Sequence, residues 1–140
     1  IGKLSDEEIH REITNSFPSL YKTMQHIWVA EEVWWLRLKL VDNIVLQSDK
    51  FTGSFKELTE LLTKQNQQWG EWVNAATENQ LTHVFAYIRN KEQLKMPVYQ
   101  MLHHVFNHAT YHRGQLVTML RQLGIDKVPS TDFSAFCRKK

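Results

Sequence analysis

Four histidines fall within ten residues of one another, in the run His103-His104-Val105-Phe106-Asn107-His108-Ala109-Thr110-Tyr111-His112. Three of them recur at i, i+4 and i+8. On a helix that spacing stacks His104, His108 and His112 one turn apart along one side. Neutral imidazole is the commonest protein ligand for transition metals, and an i, i+4 pair can offer two ring nitrogens to one divalent ion. Metal binding is the first chemistry this segment suggests.

The phase of the surrounding helix ranks the candidates. Val98, Leu102, Val105, Ala109, His112, Leu116, Met119 and Leu123 step by four and three, and Gly124 then closes the helix as a cap. His112 is the one polar member of that stripe and should point inward. At about 100° per residue, His108 lies roughly 40° to one side and His104 roughly 80°, while His103 falls on the opposite face. A single inward histidine is most simply a core residue with one hydrogen bond. Two of them one turn apart need partners for four ring nitrogens amid mostly apolar neighbours. A metal removes much of that difficulty, although HxxxH also arises by chance, so spacing alone leaves both readings open.

A third ligand must come from another helix. His26 is the natural candidate, flanked by Gln25 and Trp28 in a strongly apolar segment. His83 and His10 read as surface residues. Glu31 and Glu32 could supply a carboxylate, or could equally be capped by arginine. The HExxH pattern of zinc proteases is absent, as is any Gly-rich phosphate loop, and no Ser-His-Asp arrangement can be argued.

The elements that must position these residues are mostly helical. Ser5 followed by Asp6, Glu7 and Glu8 predicts a short helix ending near Asn15, with acids against the positive end of its dipole. Ser16 is the expected N-cap of a second helix, with Pro18 in its first turn, running to about Val45. Leu20, Met24, Ile27, Trp34, Trp35 and Leu38 form its main stripe, and Trp28, Val29 and Val33 line other sides. A helix so apolar all round is buried in a bundle or shared with a second copy, which makes a homodimer an expectation. Ser54-Phe55-Lys56-Glu57 is a capping box opening a third helix through Leu58, Leu61, Leu62, Trp69, Trp72 and Val73. Thr82 to Ile88 reads as a strand turning near Asn90-Lys91 and returning through Leu94 to Met96. Pro97 ends that hairpin and the last long helix begins.

The bulk properties narrow the classes. At 140 residues the chain is long enough for one domain, residues 1–140, with a real core. Hydrophobic residues make up 42%, which argues for a folded globule over a disordered chain. A formal net charge of only +2 on scattered lysines and arginines indicates no nucleic-acid face. Cys137 alone cannot make an intrachain disulfide and reads as incidental. No apolar run has membrane-spanning length and no secretory signal is visible, so the cytoplasm is the expected compartment. Arg138-Lys139-Lys140 reads as a solvated tail.

Several segments together resemble the DinB/YfiT-like family of metal-binding four-helix bundles. They are Ser16-Phe17-Pro18-Ser19 leading to His26-Ile27-Trp28-Val29-Ala30-Glu31, then Asn107-His108-Ala109-Thr110-Tyr111-His112-Arg113-Gly114-Gln115, and the late Ser130-Thr131-Asp132-Phe133. The histidine-Arg-Gly-Gln block is the most specific. The resemblance implies an all-α four-helix bundle holding one divalent ion, often nickel or zinc, on three histidines. Carried over residue by residue, these are His26, His108 and His112. His104 matches no ligand position and is expected either behind the ligands or facing the substrate, where it is a candidate proton shuttle. Arg113 and Gln115 are expected to be structural, bonding neighbouring helices. Such proteins usually begin with one more long helix ahead of Leu4-Ser5-Asp6-Glu7-Glu8, so the domain is expected to be incomplete at its N-terminus.

Three protein ligands leave positions open for water or substrate, the arrangement of a catalytic site. Relatives imply thiol chemistry, in transferases using low-molecular-weight thiols and a thiol-dependent maleylpyruvate isomerase. The implied activity is a metal-dependent enzyme, of transferase or hydrolase type, in which an activated thiol attacks a small electrophile. The alternative is a non-catalytic metal-binding or stress-response protein that binds a ligand. Three imidazoles suit zinc, nickel, iron and copper alike.

Overall fold

Side-chain caps at helix starts organise the chain in the computed structural model, which describes residues 4–138. Helix α2 (Leu20–Leu38) begins where the Ser19 side chain accepts from the Lys22 N–H. The cap is Ser19 and not the expected Ser16. A residue before proline is pushed toward extended backbone, and the Ile13 N–H donates to the Pro18 carbonyl at 2.8 Å, which ties Pro18 into the preceding turn. Ahead of it, Ser5 and Glu8 form a full capping box on α1 (Asp6–His10), which stops five residues short of Asn15.

The far end of α2 also comes earlier than expected, at Leu38 instead of Val45. Leu40 sits at φ 53°, the Val41 N–H reaches back to the Leu36 carbonyl, and the Leu40 N–H reaches that of Arg37. This is a Schellman stop with leucine in the place that glycine usually takes. The apolar run Leu40-Val41 therefore looks helical in sequence although its backbone has already turned. Beyond it, Glu32 accepts from the Gln47 and Ser48 N–H groups at 2.8 and 3.1 Å, fixing the 3₁₀ turn Ser48–Lys50.

The capping box of Ser54 and Glu57 opens α3 (Phe55–Ala75) as expected. A third capping box, Thr77 with Gln80, starts the short α4 (Glu78–Thr82), and its Thr-x-x-Gln spacing is the local signal for that helix. The hairpin forms where the β-branched residues predict it. Strand β1 (Val84–Arg89) pairs antiparallel with β2 (Glu92–Pro97), from Val84 opposite Pro97 to Arg89 opposite Glu92. Asn90 and Lys91 both take positive φ, 52° and 67°, which matches the twist of a two-residue turn. Phe85 and Tyr87 point to the core and their neighbours point out.

Helix α5 (Val98–Gln122) follows Pro97 directly and ends at Gly124, whose φ of 82° suits glycine. Asp132 then caps α6 (Phe133–Cys137). Arg138 is exposed and bonds back to Ser134, while Lys139 and Lys140 of the expected tail lie outside the described residues. No helix among the described residues is long and apolar enough to cross a membrane.

Helix α2 packs against both α3 and α5. Thr23 meets Met119, and Trp34 meets His104, so α2 and α5 run antiparallel. Leu20, Met24, Ile27, Leu58, Leu62, Leu116, Met119 and Leu120 fill one end of the core. Trp34, Trp69, Phe85, Tyr87, Met101 and Val105 fill the end under the hairpin.

Glu31 is the costly residue of this packing. It is 3% exposed, and its Oε2 has no hydrogen-bond partner. Burial pushes its carboxyl up to about 7, against the attraction of Arg113. A carboxyl raised in the folded state binds its proton in preference to the unfolded chain, so stability falls as pH rises from about 4.5 to about 7. Glu31→Gln should therefore raise the melting temperature more at pH 8 than at pH 5, by the equivalent of about 1–3 kcal/mol. Calorimetry at the two pH values checks this, and an equal effect at both would refute it.

Candidate metal centre

The seam between α2 and α5 brings three imidazoles together. His26 comes from the second turn of α2, and His108 and His112 come from consecutive turns of α5. His26 Nε2 and His112 Nε2 each lie 3.1 Å from His108 Nε2, and the three donor atoms fall within 4.8 Å of one another. These are the residues singled out from helical phase and motif. His112 is buried, as its place in the apolar stripe requires, while His26 and His108 are half-buried at the mouth.

The outer contacts orient the rings. Gln115 donates from Nε2 to Ser16 Oγ at 2.8 Å and to Tyr111 Oη at 3.1 Å. Its Oε1 then accepts from His112 Nδ1 at 2.7 Å, which leaves the His112 Nε2 lone pair facing the other two rings. Ser16 thus serves the site instead of capping a helix, and Gln115 holds a candidate ligand. Arg113 bonds Thr110 on its own helix. Phe17 stacks on His26 at a centroid distance of 4.0 Å and closes one side.

Electrostatics disfavour the protonated forms of His108 and His26. Burial, then the neighbouring imidazoles of His112, His26 and His104, bring His108 down to about 4. Burial and then His112 also lower His26. A neutral ring nitrogen either donates or accepts, so His108 Nε2 can satisfy only one of its two close neighbours. The other contact sets lone pair against lone pair. The separations of 3.1 Å are close to the roughly 3.3 Å between nitrogens sharing a tetrahedral ion at about 2.0–2.1 Å. The donor set fits a divalent cation on both counts.

The remaining candidates lie elsewhere. His104 is exposed and stands outside the triad, with its ring 6.1 Å from that of His108 and edge-on to Trp34 at 5.0 Å. His103, His10 and His83 are exposed, as expected. Glu32 is used by the 3₁₀ turn, and Glu31 lies about 140° around α2 from His26. Neither carboxylate joins the three histidines. Glu31 instead lines a cavity of about 400 Å³ between α2, α3, α5 and residues 125–131.

Comparison with known proteins finds relatives over nearly the whole chain. The sequence model of the DinB family matches residues 1–139. Protein DinB of Bacillus subtilis (strain 168) is 28% identical over 154 aligned residues, covering 97% of this chain and 82% of the relative. The crystal structure of a DinB-like protein from Bacillus cereus ATCC 10987 superposes with a TM-score of 0.71 at 25% identity, covering 92% of this chain and 83% of that one.

The depressed pKa of His108 has a measurable consequence. Between about 6.5 and about 4 the unfolded chain binds the proton that the folded ring refuses, so metal-free protein loses stability as pH falls through that window. Proton NMR of the metal-free protein should show the His108 ring titrating near 4, and a midpoint near 6.5 would refute the assignment.

Proposed function

The chain belongs to the DinB family, and from that premise we propose that it holds one divalent transition-metal ion, nickel or zinc, on His26, His108 and His112 and uses it to activate a small thiol. The observation that carries this reading is the convergence of three Nε2 atoms from two helices, one of them oriented from behind by Gln115. A divalent ion bound there supplies a Lewis acid that lowers the pKa of a coordinated thiol or water. Three protein ligands leave room for a substrate atom.

The protein's own groups account for the remaining tasks. Gln115, fixed by Ser16 and Tyr111, keeps the His112 lone pair directed into the site. Phe17 covers the His26 ring and limits water on that side. The pKa of the exposed His104 is lowered, by partial desolvation first and then by the charges of Arg89 and Arg37, and its free ring nitrogen can take up the proton that the thiol releases. The thiolate sulfur then forms its bond to the electrophilic carbon, and the leaving group departs with the electron pair.

Elemental analysis of freshly purified protein tests the centre. About one equivalent of a transition metal is expected, and it should be lost in the His108→Ala/His112→Ala double variant. A wild type that is metal-free and cannot be reconstituted would make these histidines structural. Gln115→Leu should keep the fold but weaken zinc affinity about 10–100-fold in competition with a chelator, the usual cost of losing a partner behind a ligating histidine. Thiol transfer to a small electrophile should depend on the added ion and fall sharply in His104→Ala, whose metal content should stay at wild-type level.

A further inference from the structure

The face of α2 turned away from the three histidines borders a second space. Helix α2 packs on both α3 and α5, and a cavity of about 400 Å³ lies where those two helices and residues 125–131 come around it. Met24, Ile27, Leu62, Leu116, Leu120 and Val128 give this cavity apolar walls. Its α2 side runs from Met24 to Glu31, seven residues and about 10 Å along the helix. The floor is thus hydrocarbon for most of its length and ends in a carboxyl group.

Nothing among the described residues serves that carboxyl. Glu31 is 3% exposed and accepts no hydrogen bond from them, and the ion pairs there, Arg11–Glu7 and Lys56–Glu60, leave it out. Of its two oxygens only Oε2 is wholly closed off, so Oε1 is the one that meets the cavity. Two cations stand on the wall, Arg113 and Lys127, and both are exposed. The Arg113 guanidinium is tied to Thr110 Oγ1 at 2.7 Å on its own helix. Asn66, also on the wall, gives its Nδ2–H to the Leu62 carbonyl at 2.8 Å, which leaves its Oδ1 as a second acceptor. A buried acceptor without a donor costs stability, and an aliphatic side chain in this place would avoid that cost.

We propose that this cavity is a small-molecule site, separate from the three histidines, for an amine with an apolar body whose ammonium group binds Glu31. A carboxylate and an amide oxygen are both acceptors, and an ammonium group brings three donors and a charge that the carboxylate matches. The apolar walls take the hydrocarbon part. Ligand pockets of this kind span about 300–1,000 Å³, with few polar groups on mostly hydrophobic walls. An apolar cavity of about 150 Å³ takes benzene, so 400 Å³ suits one ring carrying a short alkyl chain. The length of the floor sets the same limit, with the charged end at Glu31 and the ring toward Met24 and Leu120.

Isothermal titration at pH 8 with 4-phenylbutylamine, and with 5-phenylpentanoate as the probe of equal length and opposite charge, tests the site. Wild type should bind the amine about tenfold or more tightly than the acid, the worth of one charge-assisted hydrogen bond. Glu31→Gln should remove that preference while melting no lower than wild type. Val117, half-buried on the wall, gives a second variant: Val117→Phe fills the space, keeps Glu31 and should abolish binding of the amine. An amine preference that survives in Glu31→Gln, equal binding of the two probes, or binding of neither would overturn the proposal. So would light scattering that finds wild type dimeric and Val117→Phe monomeric, because a second copy would then occupy the cavity.

Discussion

The α2–α5 seam forces three imidazole nitrogens into a space where their hydrogen-bonding capacity cannot all be met. Thr23 against Met119 and Trp34 against His104 fix the antiparallel register of the two helices. Within that register His26 has no other place to point than at His108 and His112. The aliphatic packing of Leu20, Met24, Ile27, Leu116 and Met119 below, and of Trp34, Met101 and Val105 above, holds the seam shut. Large hydrophobic burial on either side thus supports a polar frustration at the centre. A core that needed only stability would fill that space with leucine.

The elements around the seam act on the same three rings. The loop before α2 delivers Phe17 to the face of His26 and Ser16 to the amide of Gln115, so backbone that could have been another turn of helix becomes the outer wall of the site. The hairpin between α4 and α5 does the corresponding work at the other end. It sets Tyr87 under Arg37 and offers the Ile88 carbonyl to the Arg37 guanidinium. Each contribution comes from a short irregular or extended segment rather than from a long helix. Rigid helices set the ligands, and the connecting segments decide what surrounds them.

Glu31 shows what the arrangement costs. Its carboxyl is not paired with Arg113, and burial, against the attraction of that guanidinium, raises its pKa to about 7. Among the described residues it is the buried acid least well served by its neighbours, whereas the adjacent Glu32 accepts two backbone N–H groups. The two carboxylates differ by one position in sequence and by about 100° around the helix, which is enough to separate a structural clasp from an unsatisfied charge.

Local sequence was enough for the helical class, the hairpin, the helix start at Ser5, the capping box at Ser54, the glycine stop at Gly124 and the inward ranking of His112 over His108 and His104. All of these are local, written in spacings of a few residues whose backbone preference does not depend on distant contacts. Tertiary structure decided the rest. The α2 boundaries moved because a proline turn and a leucine in the left-handed region carry no glycine-like mark. Pairing of His26 with the α5 histidines, the Ser16–Gln115–His112 relay and the bond from Arg37 to the Ile88 carbonyl join residues far apart in the chain. No local periodicity encodes such meetings. They exist only once hydrophobic packing has fixed how α2, α5 and the hairpin lie against one another.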